Sequence, residues 1–259
     1  MSLKFVILGS GSSMGVPRAD GYSGNCDLKN KKNFRTRCSA LIKFENQNIL
    51  IDSSPDLRSQ LLKNKIKSIT KVFYTHLHAD QTHGINDLRP FFLISKKQIP
   101  VYADIKTSKY LLSTFKYCFE SSYGYPSTLT INNLKKKHLI TNNNKKLSIE
   151  SIPVQHGKIK SICYLINKKL AYASDISLFF KKDYKKLKKL EYLIIDCLWY
   201  RNHSAHFNLD QVLELVKVLS PKKTILTNMH SDLDYVKIKK KLPKNVVPGF
   251  DGMTVSLKN

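Results

Sequence analysis

Short apolar runs, each closed by polar or turn-forming residues, alternate along this chain with longer amphipathic stretches. Apolar and β-branched runs of about four to eight residues are typical of buried strands, and longer amphipathic stretches are typical of helices. The pattern predicts strands over 4–8, 39–44, 48–51, 71–75, 100–103, 145–154, 161–166, 169–173, 193–197 and 224–227, and helices over 55–64, 106–119 and 208–218. No linker or repeat divides this alternation, so we expect one α/β domain over residues 1–259.

The apolar runs are too short for a membrane span. Those at 91–94 and 192–195 fall far short of the roughly 20 apolar residues that cross a bilayer. The stretch at 1–9 is too short for a signal-peptide core and no small-residue cleavage site follows it. These features predict a cytoplasmic protein that does not contact a membrane.

The charge is strongly positive, with 44 Lys and Arg against 19 Asp and Glu and a formal net charge of +25 at pH 7. One explanation is contact with nucleic acid, because clustered cations displace counterions from phosphates. The other, which we favour, is the composition bias of an AT-rich genome, since almost all of the basic residues are Lys. The lysine runs are then solvated surfaces that steer anionic substrates.

Five cysteines are spread along the chain without a C-x-x-C pair. An odd number without paired spacing predicts neither a disulfide framework nor a cysteine zinc knuckle. We expect most of them to be small buried residues.

The segment Thr75-His76-Leu77-His78-Ala79-Asp80 directly follows a predicted strand. Two imidazoles two residues apart can bind one metal ion from one side of a turn, which leaves the carboxylate for a second ion. Three further candidate ligands follow other predicted strands: His156, Asp175 and His230. An isolated histidine is usually structural, and this is our interpretation of His138. Histidine and aspartate residues at the ends of several separate strands instead indicate a metal centre.

This order of motifs resembles the metallo-β-lactamase superfamily, whose members carry H-x-H-x-D-H, then a His, a bridging Asp and a C-terminal His. The resemblance runs from the first strand to Asp251-Gly252. It implies a four-layer αββα sandwich and a hydrolase that holds two divalent ions, Zn²⁺ or Mn²⁺. The implied ligands are His76, His78 and His156 for the first ion, Asp80 and His230 for the second, and Asp175 as the bridge. A hydroxide between the ions is the implied nucleophile, because coordination lowers the pKa of bound water to about 7.

One position departs from the superfamily pattern. Gln81 stands where the pattern has His, and the next imidazole is His83. Glutamine is a poor zinc ligand, so we expect the second ion to bind more weakly, or a harder ion such as manganese to be preferred. Whether His83 compensates as a ligand or is a structural residue stays open.

Three segments resemble the phosphodiesterase branch of the superfamily: Gly9 to Pro17, Cys38-Ser39 and His203-Ser-Ala-His206. That branch contains the tRNA-processing ribonucleases Z and the cyclic phosphodiesterases of the PhnP family, and the similarity to the latter is closer. It implies that His206 protonates the leaving oxygen, since an imidazole with a pKa near 6.5 can act as an acid at neutral pH. His203 is the second candidate for this role.

The expected function is therefore hydrolysis of a small cyclic or nucleotide-like phosphodiester. The alternatives are an RNA or tRNA nuclease of the same fold, a hydrolase of esters, thioesters or lactones, and, more remotely, a metal-binding protein without activity. Formation of a homodimer stays open.

Two further features bear on how far the PhnP resemblance extends. Members of that family carry a structural zinc held by clustered cysteines, whereas the corresponding loop here keeps only Cys26 and 231–233 supplies no histidine. We expect this structural metal to be absent. Arg89 lies shortly after the metal motif and either contacts phosphate or forms a surface ion pair with Asp87.

Overall fold

The computed structural model describes residues 3–121 and 124–257, which form two seven-stranded mixed sheets. The strands are β1 (Leu3–Gly9), β2 (Ser39–Phe44), β3 (Gln47–Ile51), β4 (Lys71–Phe73), β5 (Ile99–Ala103), β6 (Leu129–Asn133), β7 (Lys137–Asn142), β8 (Lys145–His156), β9 (Ile159–Ile166), β10 (Leu170–Ala173), β11 (Tyr192–Asp196), β12 (Lys223–Thr227), β13 (Val246–Pro248) and β14 (Thr254–Leu257). The spatial order is β14-β1-β2-β3-β4-β5-β6 in the first sheet and β13-β12-β11-β10-β9-β8-β7 in the second.

Helices cover the outer face of each sheet. They are α1 (Leu57–Lys63), α2 (Ala79–Thr82), α3 (Arg89–Ser95), α4 (Ile105–Thr114), α5 (Lys116–Phe119), α6 (Tyr184–Leu187), α7 (Leu209–Leu219) and α8 (Tyr235–Lys241). Those up to α5 follow strands of the first sheet, and the others follow strands of the second.

Three apolar cores separate the four layers. In β1, Phe5 and Ile7 belong to the core between the two sheets, whereas Val6 and Leu8 belong to the core under the first helical layer. Successive side chains of a strand point to opposite faces, so a continuous apolar run buries both faces of its sheet. Phe5 contacts Tyr172 of the second sheet, with 5.3 Å between ring centroids. The expected α/β fold, a four-layer αββα sandwich, is confirmed.

Helix α7 fixes the segment that precedes it. Its apolar side packs on β11 and β12 through residues such as Val212 and Leu215. The Asn208 side chain accepts from the backbone N–H of Gln211, and the Gln211 side chain accepts from the backbone N–H of Asn208. This reciprocal capping satisfies N–H groups at the helix start and holds the preceding loop in place.

The strands that the sequence pattern did not predict are β6, β7, β13 and β14, which are the four edge strands of the two sheets. An edge strand has one neighbour and a partly exposed face, so it needs no continuous apolar run. In β6, for example, Asn133 is exposed at the end of Leu-Thr-Ile-Asn-Asn.

The expected helix over 106–119 is interrupted. Phe115 has φ −120° and ψ 39°, outside the helical region, and divides the segment into α4 and α5. The short helices α2, α3, α6 and α8 were not predicted either.

All five cysteines are buried and unpaired, as expected. Among the described residues, no helix combines the length and apolar character needed to cross a bilayer.

Candidate active site

The candidate site residues lie where several neighbouring strands end. His156 is the last residue of β8, and Asp196 is the last residue of β11. Asp175 lies shortly after the end of β10, and Asn228 directly follows β12. Strands β10, β11 and β12 run parallel, so their carboxyl ends meet at one edge of the sheet. Such an edge is where α/β proteins commonly place their ligands.

Three histidines form a compact cluster at this edge. Nδ1 of His78 lies 2.9 Å from Nε2 of His76 and 3.4 Å from Nε2 of His156. One ring nitrogen of each residue lies within 4.8 Å of the others. The structure therefore brings together the three residues expected to hold the first ion.

Hydrogen bonds orient two of these imidazoles. His76 directs Nδ1 to the Thr75 hydroxyl at 3.0 Å, and that hydroxyl donates to the Asp52 carboxylate. His156 directs Nδ1 to the carbonyl oxygen of Ala205 at 2.7 Å. A proton on each Nδ1 leaves the lone pair of Nε2 facing the cluster, as in metal-ligating histidines.

The electrostatics also suit a cation. Burial lowers the pKa of His76 well below its ordinary value, and burial lowers the pKa of His156 to about 4. Both imidazoles are neutral at pH 7, which is the form that ligates metal. The donor set at the first site therefore fits a divalent ion.

The residues expected at the second site are arranged differently. The amide nitrogen of Gln81 lies 3.1 Å from Oδ2 of Asp80 and 3.1 Å from Oδ2 of Asp175, so it donates to both carboxylates. Burial and the Asp80 carboxylate raise the pKa of Asp175 to about 8. Oε1 of Gln81 is buried and has no hydrogen-bond partner among the described residues.

The rings of His230 and His83 both pack against aromatic side chains. The His230 ring packs against Trp199 at 4.9 Å between centroids, and its Nδ1 lies 3.3 Å from the backbone N–H of Asp232. His83 packs against Phe115 at 5.3 Å. Within residues 3–121 and 124–257, the groups close enough to share an ion are His76 with His78 and His156, and His156 with Asp175 and His206.

The candidate acid His206 is paired with a buried carboxylate. Its Nδ1 lies 2.6 Å from Oδ2 of Asp196, and its ring lies 4.7 Å from that of His156. Burial opposes the charged imidazolium, but the attraction and hydrogen bond of Asp196 outweigh it and raise the pKa of His206 to about 9. His206 is therefore protonated at neutral pH and stands beside the three-histidine cluster.

His203, the second candidate, is exposed at the rim, with its ring 5.1 Å from that of His206. His138 lies elsewhere, where it packs between Phe73 and Tyr102 at 5.0 and 4.7 Å. It is structural, as expected.

Sequence reasoning missed three residues that support the site: Asp52, Asp196 and Asn228. Asp52 accepts from the backbone N–H of Thr75 at 2.7 Å. Asn228 donates to Asp196 at 3.2 Å and to Asp175 at 3.4 Å. Each of these residues ends or directly follows an apolar strand. A polar residue at such a position was the signal in the sequence that could have identified them.

A buried arginine was missed as well. Arg35 is 2% exposed and donates to the carbonyl oxygens of His230 at 3.2 Å and Leu233 at 2.5 Å. Its guanidinium also lies 3.9 Å from Sγ of Cys26. Arg35 thus joins the N-terminal loop to the segment after β12, at the place where a structural metal was expected to be absent.

An open cleft of about 750 Å³ borders the cluster at His76, and three exposed lysines line it: Lys106, Lys158 and Lys160. Arg89 lies in a different cavity, where its guanidinium is 5.3 Å from the ring centre of Tyr125.

Comparison with known proteins agrees with this geometry. The sequence profile of the Beta-lactamase superfamily domain matches residues 47–229. The chain belongs to this superfamily. The matched region contains the three-histidine cluster, Asp175 and His206.

One solved structure that this chain resembles is that of a diphosphatase from the PhnP family. It superposes with a TM-score of 0.88 and 28% identity, covering 99% of this chain and 98% of its own. An octanoyltransferase of Porphyromonas gingivalis is 28% identical over 257 residues, which is 97% of this chain and 51% of that protein. A ribonuclease Z of Prochlorococcus marinus is 29% identical over 125 residues, 46% of this chain and 39% of that protein. The chain spans about half the length, or less, of these two curated relatives.

Proposed function

We propose that this protein is a metal-dependent phosphodiesterase that acts on a small cyclic or nucleotide-like phosphodiester. The observation that carries the proposal is the pairing of a metal-ligating cluster with a protonated imidazole, since the His206 ring lies 4.7 Å from that of His156. Hydrolysis of a phosphodiester requires a nucleophilic water, compensation of charge on the phosphoryl oxygens and a proton for the leaving oxygen.

The cluster formed by His76, His78 and His156 would hold the ion. An ion there supplies Lewis acidity toward a phosphoryl oxygen and lowers the pKa of water. The residues themselves keep the ligand geometry fixed, because Thr75 and the carbonyl oxygen of Ala205 hold the outer nitrogens of two of the rings.

His206 supplies the proton. Its Nδ1 donates to Asp196, so its second ring nitrogen, Nε2, is free to face the substrate. As water attacks phosphorus and the bond from phosphorus to the leaving oxygen breaks, Nε2–H passes its proton to that oxygen. Asp196 keeps the ring in one orientation and stabilises the imidazolium before transfer.

The cleft beside His76 supports an anionic substrate. Lys106, Lys158 and Lys160 are exposed there and are not within ion-pairing distance of a carboxylate among the described residues. Ammonium groups that line a cleft raise the local concentration of anions and favour their entry.

A second candidate is hydrolysis of an acyl ester or thioester. It is favoured by the octanoyltransferase relative, which this chain matches over 97% of its own length. The same ion can polarise a carbonyl group.

A third candidate is an RNA nuclease. It is supported by the ribonuclease Z relative and by the net charge of +25.

The test is a panel of substrates offered to protein reconstituted with zinc or manganese. The panel contains bis-p-nitrophenyl phosphate, a ribose cyclic phosphate, an unmodified tRNA precursor, p-nitrophenyl octanoate and an octanoyl thioester. We expect hydrolysis of the phosphodiesters and its loss in His156→Ala, which removes one residue of the three-histidine cluster. Hydrolysis confined to the octanoyl compounds would overturn the proposal in favour of the acyl substrate, and hydrolysis confined to the tRNA would favour the nuclease.

A further inference from the structure

The amide of Gln81 occupies the space between two carboxylates that the superfamily pattern assigns to a second ion. Gln81 is fully buried, and its Nε2 lies 3.1 Å from both Asp80 and Asp175. Two carboxylates that face one another need either a cation or hydrogen-bond donors between them. The two N–H groups of a primary amide meet this need.

The direction of the amide follows from its neighbours. An amide oxygen turned toward Asp80 and Asp175 would leave at most one proton, that of Asp175, among three buried groups of oxygen acceptors, whereas the amide nitrogen supplies two donors. The nitrogen therefore faces the carboxylates and Oε1 faces away, where it has no partner. In this orientation Gln81 offers no lone pair to a metal ion.

The other expected ligand of the second ion does not compensate. The His230 ring packs against Trp199, and Nδ1 faces the backbone N–H of Asp232. His230 and Asp80 belong to neither of the groups of ligand-type side chains found among the described residues. His83 caps the end of α2 two residues after Gln81, so its side chain lies on the opposite side of the turn, against Phe115.

We infer that this protein binds one divalent ion, at His76, His78 and His156, and that the Gln81 amide replaces a second ion by tying Asp80 to Asp175. Asp175 borders the same cluster through His156. The inference rests on the three-histidine centre of the proposed function and concerns how many ions that centre holds. It does not depend on which substrate is hydrolysed.

The experiment measures metal stoichiometry rather than activity. Protein freed of metal by a chelator is loaded with excess zinc, and in parallel with manganese, then desalted. Elemental analysis and native mass spectrometry give the number of ions bound. We expect one ion per chain for the wild type and two for Gln81→His, because an imidazole supplies the missing lone pair.

His230→Ala provides the matched comparison. In the wild-type background it should leave the count at one, because the His230 ring packs against Trp199 and belongs to no group of potential ligands among the described residues. Circular dichroism checks the fold of each variant. If Gln81→His does not fold, the comparison of wild type with His230→Ala still tests the inference. Two ions bound to the wild type and one ion bound to His230→Ala would overturn it.

Two results would contradict the role of Gln81: two ions bound to the wild type, or a folded Gln81→His variant that still binds one. Failure of the proposed function is a separate outcome. Protein with one ion and no phosphodiester hydrolysis would remove the function and leave the stoichiometry standing.

Discussion

The Nδ1 atom of His206 lies 2.6 Å from Oδ2 of Asp196, a carboxylate that is completely buried at the end of β11. Asn228 donates to the other oxygen of this carboxylate at 3.2 Å. The pair therefore has one defined geometry, in which the imidazole carries a proton on each nitrogen at neutral pH. This relationship makes the pH dependence of the reaction a direct test of the role of His206.

We predict that turnover falls as the pH rises through about 9. The pKa of His206 is raised to about 9 against burial by Asp196, so the acid form is present below that pH and is lost above it. Asp196→Asn removes the negative charge, lowers the pKa of His206 and should move this alkaline limb to lower pH. A pH profile of kcat for both proteins measures the shift, and superimposable alkaline limbs would exclude Asp196 from this role.

The three-histidine cluster predicts a stabilising metal. An ion that binds only the folded state at about 1,000 times its Kd raises the free energy of unfolding by about 4 kcal/mol. We expect zinc to raise the melting temperature of wild-type protein and to have little effect on His156→Ala. His138→Ala is the control, because that imidazole lies between Phe73 and Tyr102 and not in the cluster. An equal rise in both variants would mean that the ion binds elsewhere.

Asp52 links the fold to the cluster. Its carboxylate accepts from both the backbone N–H and the hydroxyl of Thr75, and the hydroxyl contacts His76. Asp52→Ala should lower the free energy of unfolding by about 2–4 kcal/mol, because buried donors lose their acceptor. It should also weaken metal affinity by about 10–100-fold, as loss of such outer partners commonly does.

Asp52→Asn is the matched variant for this prediction. Asp52 has φ +60°, a conformation that asparagine tolerates better than alanine. Its amide oxygen can still accept from the Thr75 N–H, so we expect a smaller loss in chemical denaturation and in metal titration. Equal losses for both variants would show that the carboxylate itself, which both variants remove, and not an acceptor for the Thr75 N–H determines the effect.

The sequence was sufficient to predict the interior of the fold and the three-histidine cluster. Buried strands such as β1 and β9 have apolar side chains on both faces, so the apolar run itself marks them. The metal motif stands out because His76 and His78 come shortly after β4. His156 ends β8 in the same way.

Other features depend on tertiary contacts that no local pattern contains. The edge strands β6, β7, β13 and β14 are defined by a single neighbour rather than by their own composition. Asp196 and His206 are ten residues apart and meet because β11 and the loop before α7 share one edge of the sheet. The contact of Gln81 with Asp175 joins residues 94 positions apart, so the substitution was visible in the sequence but its consequence was not.

The most direct test of the account is the dependence of turnover on the leaving group in wild type, His206→Ala and His203→Ala, at equal metal content. Bis-p-nitrophenyl phosphate releases a stabilised anion, whereas a ribose cyclic phosphate releases an alkoxide that needs a proton. We predict that His206→Ala slows the cyclic substrate by about 10²–10⁴-fold and the nitrophenyl substrate far less, with a small effect of His203→Ala on both. Three results would contradict the account. They are equal losses of turnover on the two substrates in His206→Ala, a leaving-group effect in His203→Ala instead, and no hydrolysis of either substrate by metal-loaded wild type.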